Sequence, residues 1–413
     1  ARIRNSINIT KRLTADVDFS FRHTQKNDPT ITPLQAANMY PSIYLGLYPD
    51  GRIAMGKSGG SNTLGILREG GYKSSRSDII SGNIALTYKP IEGLSFTASY
   101  KPTWTISKGK TFSKRVPVYD AYDTDVEIGT LSGHATTDLT ETRNDANSYE
   151  LSFIGNYDAR FGEAHNFNAM LGYEEYSYQH ESLTAGTTAM ELNKYPYLDL
   201  ANKENVSVAG DAYGNGYRSV FGRVMYNYKS RYYIQANVRG DGSSRFAKGH
   251  RWGYFPSLGL SWNIDSEPWL KRARHLDYLK LRLSGGLVGN QEIPDYAYAT
   301  SYSTGSYGGS SSYTRSTTVN SNLKWETTAS YNVGVDAGFW NGRLSVVADA
   351  YYKKTRDLLL LVPTGFSSGV STQLQNVGNV VNKGVELTVN TQLINTKKLQ
   401  WSVSGNIAHN HNE

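Results

Sequence analysis

Apolar and polar residues alternate with a period of two along most of this chain, and they do so in too many places for a helical protein. Tyr331, Val333, Val335, Ala337 and Phe339 fall on one face of a strand, opposed by Asn332, Gly334, Asp336 and Gly338. Past Asn341-Gly342 the pattern resumes, with Leu344, Val346, Ala348, Ala350 and Tyr352 facing away from Ser345, Asp349 and Tyr351. Asn-Gly between two alternating runs predicts a two-residue hairpin turn of type I′, whose central residues both need positive φ. The same alternation predicts strands over 3–10, 13–21, 79–88, 94–105, 149–158, 166–176, 218–228, 232–240, 253–263 and 279–287. Two more arms follow the Asn-Gly hairpin, over 383–393 and 400–408. The total is about 14 strands of about 8 to 12 residues, near the ~9 to 11 that a tilted strand needs to cross a bilayer.

The connections alternate in length. Short turns are expected at Lys11-Arg12, 89–93, 160–162, 229–231, Asn341-Gly342 and 394–399, with a longer one over 265–278 that has room for a brief helix. Long insertions fall between them, over 23–78, 107–147, 179–217, 289–329 and 355–382, with a shorter one at 241–251. Short turns at one end and long loops at the other are the layout of outer-membrane barrels. A soluble sandwich or propeller has no reason to keep that rhythm. Tyr88, Tyr157, Tyr176, Tyr226, Tyr228, Trp262, Phe339 and Tyr352 are expected near strand ends, where interfacial girdles sit.

Composition removes other classes. With 413 residues, 38% hydrophobic, 12% aromatic, no cysteine and 40 glycines, the chain is neither disordered nor collagenous nor a disulfide scaffold. Mean hydropathy is -0.50 and no apolar run approaches the ~18 residues of a membrane helix, yet a barrel's alternating strands average to the same value. The net charge of +7 comes from dispersed residues without a basic run, so nucleic acid is not an expected partner. The opening ARIRNSINIT has no apolar core or cleavage site, so a leader is expected to have been removed or the chain to be an internal piece of a longer protein.

No catalytic motif is found, and neither an enzyme activity nor a cofactor is expected. His409 and His411 share a strand face but lack an evident third metal ligand. Asp120, Asp123, Asp125 and Glu127 have the donor type for calcium, but DAYDTDVEI lacks the glycine and terminal glutamate of an EF-hand and reads better as a solvated acidic loop. RGDGSSRF, Arg239 to Phe246, lacks a P-loop lysine and helix and reads as a tight loop. SGGLVG, Ser284 to Gly289, reads as a kink or close backbone approach.

From about Tyr226 onward the residues resemble the SusC/RagA-like family of TonB-dependent outer-membrane transporters. The resemblance is carried by RGDGSSRF, by RWGYFPSLGLSWNI from Arg251, by EPWLK from Glu267 and by LKLRLSGGLVGNQEI from Leu279. It continues through LKWETTASYNVGVDAGFWNGRLSVVADAYYKKTRDLLL from Leu323 and NVGNVVNKGVEL from Asn376. The resemblance implies an all-β transmembrane antiparallel barrel of about 22 strands, with an N-terminal plug in the lumen and a SusD-like surface lipoprotein as lid. It also implies import of oligosaccharides or peptides, energised through TonB, from a place in the outer membrane.

Against that pattern, residues 1–413 are expected to be a partial barrel, lacking both ends of the barrel, the plug and the segment that would meet TonB. Expected partners are the lid lipoprotein, TonB through the missing N-terminal region, an oligosaccharide or peptide substrate, and outer-membrane lipid. Strand parity points Arg223, Asn237 and Arg239 into the lumen, and Tyr296, Tyr298, Tyr302 and Tyr307 are expected to meet substrate from a loop. The alternatives are a passive porin, or a secreted all-β carbohydrate-binding or adhesive protein in which the apolar faces meet each other.

Overall fold

The computed structural model describes residues 1–56, 61–123, 125–270, 273–315 and 319–413. All fourteen predicted strands are present, and they form one antiparallel sheet in which every strand pairs with its sequence neighbours. In chain order they are β1 (Arg2–Asn8), β2 (Leu13–Asp28), β3 (Gly71–Tyr88), β4 (Leu94–Ser113), β5 (Asp138–Phe161), β6 (His165–Thr187) and β7 (Val206–Tyr228). They continue with β8 (Tyr232–Ser243), β9 (Trp252–Asn263), β10 (Leu276–Asn290), β11 (Glu326–Phe339), β12 (Leu344–Arg356), β13 (Asn379–Asn395) and β14 (Gln400–Asn412).

Every strand starts or stops at the turn end within a few residues of its predicted limit, but at the loop end most run further. β4, β5, β6 and β7 reach 20, 24, 23 and 23 residues, whereas β8 and β9 have 12 each. The extra length carries no alternation because both faces there meet water. Segments such as Thr24 to Asp28 and Arg143 to Asn147 are held by the backbone ladder alone. The long connections shrink accordingly and contain structure of their own. Two short helices, α1 (Pro33–Met39) and α2 (Thr63–Glu69), lie between β2 and β3. Three small hairpins pair Pro117–Tyr119 with Glu127–Thr130, Tyr302–Tyr307 with Ser310–Arg315, and Leu359–Pro363 with Thr372–Asn376.

At the turn end the connections are tight. Gly93, at φ +78, brings its carbonyl to the Asp158 amide at 2.8 Å, and an added Cβ would lie 2.1 Å from the Asp158 oxygen. The Asn341-Gly342 turn differs from its expectation. Phe339 pairs with Leu344, so the connection has four residues, and Trp340 joins Asn341 and Gly342 at positive φ. The neighbouring strand imposes this geometry: the Asp277 carboxylate accepts from the Asn341 and Gly342 amides, and the Trp340 amide donates to the His275 carbonyl.

The two faces of the sheet differ as the alternation requires. Val17, Ile84, Phe96, Phe153, Leu171, Val224, Ile234, Leu258, Leu283, Val333 and Ile407 stand on one face, and all are exposed. The apolar faces therefore do not meet each other, which removes the sandwich alternative. The other face carries Asp18, Ser99, Glu150, Asn168, Asn237, Ser257, Arg282 and Asp336. Tyr176 belongs to this polar face rather than to a girdle. β6 continues past it to Thr187, and its ring stacks on that of Tyr217 at 5.2 Å and 20°.

At the turn end of the apolar face Tyr228, Tyr232 and Trp262 stack across three strands, at 6.5 and 6.2 Å. Glu267, buried in the β9–β10 connection, accepts from the Tyr232 hydroxyl, from the Trp262 indole at 3.2 Å and from Arg231 at 3.4 Å. The Tyr232 bond chiefly holds the Glu267 carboxyl below the usual range, with Trp262 and Arg231 adding to it and burial opposing. A depressed carboxyl contributes stability above the ordinary glutamate value of about 4.3, and the contribution is lost as pH falls through the folded-state value. Thermal unfolding read by tryptophan emission at pH 7 and pH 3 is therefore expected to show a smaller acid-induced drop in Glu267→Gln than in the parent. Equal drops would refute this role.

Candidate functional site

On the polar face, short side chains leave a trough of about 1390 Å³ across β5 to β11, along Asn166, Asn227, Gln235, Asn237, Ser257 and Arg282. The strands place these groups by parity alone, since each inward residue alternates with an apolar one that faces the other way. Arg223 and Asn237 pair directly across β7 and β8. Asn237 donates to the Ser257 hydroxyl at 3.0 Å and accepts from Gln235 at 3.3 Å. Arg223 makes one long bond, 3.5 Å to the Asn168 side-chain oxygen, and its Nε is buried without a partner. Asn237 lines the trough, whereas Arg223 does not, and its enclosed Nε is an unsatisfied donor within the wall.

Arg239 is engaged instead. Its Nε donates to Asp241 at 2.6 Å, its Nη2 reaches Ser219 at 2.8 Å and Glu174 at 3.8 Å, and it lies 5.1 Å from the Phe221 ring centre. Ser219 is fully buried and donates to Asp241, while Tyr217 donates to Glu174 at 2.8 Å and stacks on Tyr176. This network is a rigid part of the wall, and Arg239 has less freedom to meet a ligand than Arg223.

The four loop tyrosines separate. The Tyr296 hydroxyl accepts from the Gly214 amide at 3.1 Å, and neighbouring Asp295 is held by Arg245 and Asn215, each at 2.9 Å. Tyr296 thus fastens its loop to β7. Tyr298 is half-buried in the following turn. Tyr302 and Tyr307 stand on the 302–315 hairpin, 64% and 85% exposed, with their rings free for a ligand. No hydrogen bond or ring contact joins these tyrosines to Arg223, Asn237 or Arg239 among the described residues.

RGDGSSRF is an organiser of the loops. Its serines bind back to β7 and to Arg251, with the Ser244 hydroxyl accepting from Gly216 at 2.9 Å and the Ser243 amide donating to Arg251 at 3.0 Å. Phe246 is completely buried with Ile293, Leu323 and Trp325, and Trp325 donates to the Arg251 carbonyl at 2.9 Å. Of the acidic loop, Asp120 accepts from the Tyr122 and Asp123 amides, Arg52 meets Asp125 at 3.5 Å and Arg115 meets Glu127. Thr124 lies outside the described residues. Near the C-terminal end His411 meets Glu413 at 3.0 Å. Among the described residues no group of three metal-ligating side chains comes together.

One polar cluster escaped the sequence reading. Arg282 binds Asp336 through two bonds of 2.9 and 2.7 Å and Asp349 at 3.2 Å, tying β10, β11 and β12 together across the wall. Parity puts all three on the polar face, but separations of 54 and 67 residues hid their meeting.

A family model described as TonB dependent receptor-like, beta-barrel matches residues 101–412. The TonB-dependent receptor SusC of Bacteroides thetaiotaomicron is 38% identical over 60% of this chain and 25% of its own length. TonB-dependent receptor P3 of Formosa agariphila is 32% identical over 82% of this chain and 33% of its own length. Among solved structures, that of the RagAB peptide transporter superposes on 100% of this chain and 46% of its own, with TM-score 0.82 at 24% identity, which shows a shared fold. The chain spans about a quarter to a third of the curated relatives it matches.

Proposed function

This chain belongs to the TonB-dependent receptor family of outer-membrane β-barrels, in its SusC/RagA-like part, and on that premise we propose that the whole protein is an active importer of oligosaccharides or peptides. In this reading the polar face lines a lumen, a plug outside this chain carries the TonB contact, and a SusD-like lipoprotein closes over the loops. Outer-membrane lipid covers the apolar face. The observation that carries the cargo reading is the polar trough along Asn166, Asn227, Gln235, Asn237 and Ser257, with Tyr302 and Tyr307 exposed on a loop-end hairpin. Sugar hydroxyls and peptide groups both exchange hydrogen bonds with such side-chain amides and hydroxyls, and both classes of cargo pack on tyrosine rings. The RagAB peptide transporter, which shares this fold, is named for one of these two cargo classes.

The test is to express the whole protein with a tag, purify it from the envelope in mild detergent and identify what co-purifies, then measure uptake with and without TonB. Recovery from the outer membrane with a surface lipoprotein, and uptake that stops without TonB, are expected. Uptake that persists without TonB would favour the passive porin. Asn237→Leu, which removes a polar group that lines the trough, is expected to lower uptake several-fold at unchanged membrane level, and unchanged uptake would remove Asn237 from the cargo path.

A further inference from the structure

The chain's formal charge of +7 is not spread over the molecule. The seven connections at the turn end hold eleven lysines and arginines against the acids Glu92, Glu163, Asp265 and Glu267 alone. The six connections at the loop end are balanced, with twelve of each sign. The whole excess therefore stands at one end of the barrel wall. Lys271 and Arg272 at the turn end, and Lys57 at the loop end, enter these counts by sequence only and lie outside the described residues.

The cations at the two ends also differ in what they touch. At the loop end Arg52, Lys114, Arg115, Lys203, Arg245 and Lys324 each meet an acid. Among the described residues at the turn end, only Arg231 does so, through Glu267. Lys11, Lys89, Lys229, Arg343, Lys397 and Lys398 are exposed and have no acidic partner. Unpaired like charges grouped on one rim repel each other and give it a positive potential that attracts anions.

Their position says what answers them. Lys89 follows Tyr88, and Lys229 lies 5.1 Å from the Tyr228 ring centre, at the end of the stacked row that continues to Tyr232 and Trp262. Trp340 opens the turn that Arg343 closes, and Trp401 follows Lys397 and Lys398. Tyr88, Trp340 and Trp401 are 46%, 49% and 54% exposed. Aromatic rings of this kind mark the level of lipid headgroups, and a cation just beyond them sits at the depth of the phosphates.

We propose that the turn-end rim is a binding collar for anionic phospholipid headgroups of the leaflet that faces the turns. The proposal rests on the membrane-barrel reading and adds to it a lipid class and the residues that select it. Each cation near an anionic surface contributes roughly fivefold in affinity, so several acting together give a strong preference. The interaction holds the barrel at a fixed depth and recruits acidic lipid around its lower edge.

The test uses the whole protein, exchanged into mixed micelles of phosphatidylglycerol and phosphatidylethanolamine, with the retained lipids counted by native mass spectrometry. The parent is expected to enrich phosphatidylglycerol at least about tenfold, and the enrichment should collapse in 1 M salt, where the Debye length is about 3 Å. Joint replacement of Lys89, Lys229, Arg343, Lys397 and Lys398 by glutamine should lower it about tenfold, whereas lysine–arginine exchange at the same positions should preserve it. Heat-modifiable gel mobility, read on the same samples, reports whether the barrel is folded. A folded parent without the preference, or a folded glutamine variant that keeps it, overturns the proposal and leaves the barrel standing. A chain that stays dispersed without detergent overturns the barrel itself. Retention of peptidoglycan fragments in place of lipid overturns the proposal in favour of a cell-wall contact.

Discussion

Arginine at Leu258 is expected to cost about 2–4 kcal/mol and to block membrane assembly, whereas arginine at the adjacent Gly259 is expected to be tolerated. Leu258 is exposed on the apolar face, between its cross-strand neighbours Ala236 and Gly285. It lies two same-face positions from Trp262 of the turn-end row, near the middle of a ~25 Å lipid band on a tilted strand. A guanidinium there has neither water nor a partner. Gly259 faces the polar side, and a Cβ built on it meets nothing within 4 Å. Its arginine would extend into open polar space at ordinary backbone angles. Urea titration of the protein in vesicles, read by tryptophan emission, checks both variants. Similar losses for the two would mean that the faces do not separate lipid from water.

Phe246→Ala is the second large effect, about 3–5 kcal/mol, with its damage confined to the loop end. The ring is completely buried against Trp325, 5.4 Å centre to centre, and is enclosed by Ile293 and Leu323. These residues come from the 244–251 and 291–325 connections, which no continuous ladder holds together. The cavity would loosen the 302–315 hairpin and with it Tyr302 and Tyr307, while the membrane band lies outside the affected packing. Limited proteolysis should cut within 291–325 in the variant and spare it in the parent, with heat-modifiable mobility retained in both. Loss of the folded barrel would instead show that this cluster nucleates the wall.

The wall was legible in the sequence because lipid on one side and water on the other impose period two on every crossing. The same reasoning set Arg223, Asn237 and Arg239 on the polar face, since parity needs no knowledge of neighbours. It failed where the alternation has no cause. Thr24 to Asp28 is polar throughout and Arg143 to Asn147 holds Ala146 as its one apolar residue, and only the backbone register shows them as strand. Tyr176 was misplaced for this reason, because a strand that continues eleven residues further has no end there for a girdle. The four-residue turn at Trp340 to Arg343 depends on Asp277 from another strand, 64 residues away. Among the candidate site residues, the sequence could not tell Arg239, locked by Asp241 and Ser219, from Arg223, whose Nε has no partner. That distinction is made entirely by residues from neighbouring strands.

The unequal strand lengths give this arc of wall a sloping crest. β5 to β7 outrun β8 and β9 by about 11 residues, or about 35 Å along the strand at ~3.3 Å per residue. The high part is continuous hydrogen-bonded ladder, while the low part is completed by side-chain packing around Phe246. Openings that free the low part need only disturb that packing, whereas the high part must break ladder bonds to move. Along this arc the rim therefore has one stiff flank and one compliant flank, and a disturbance at the loop end is taken up on the compliant side.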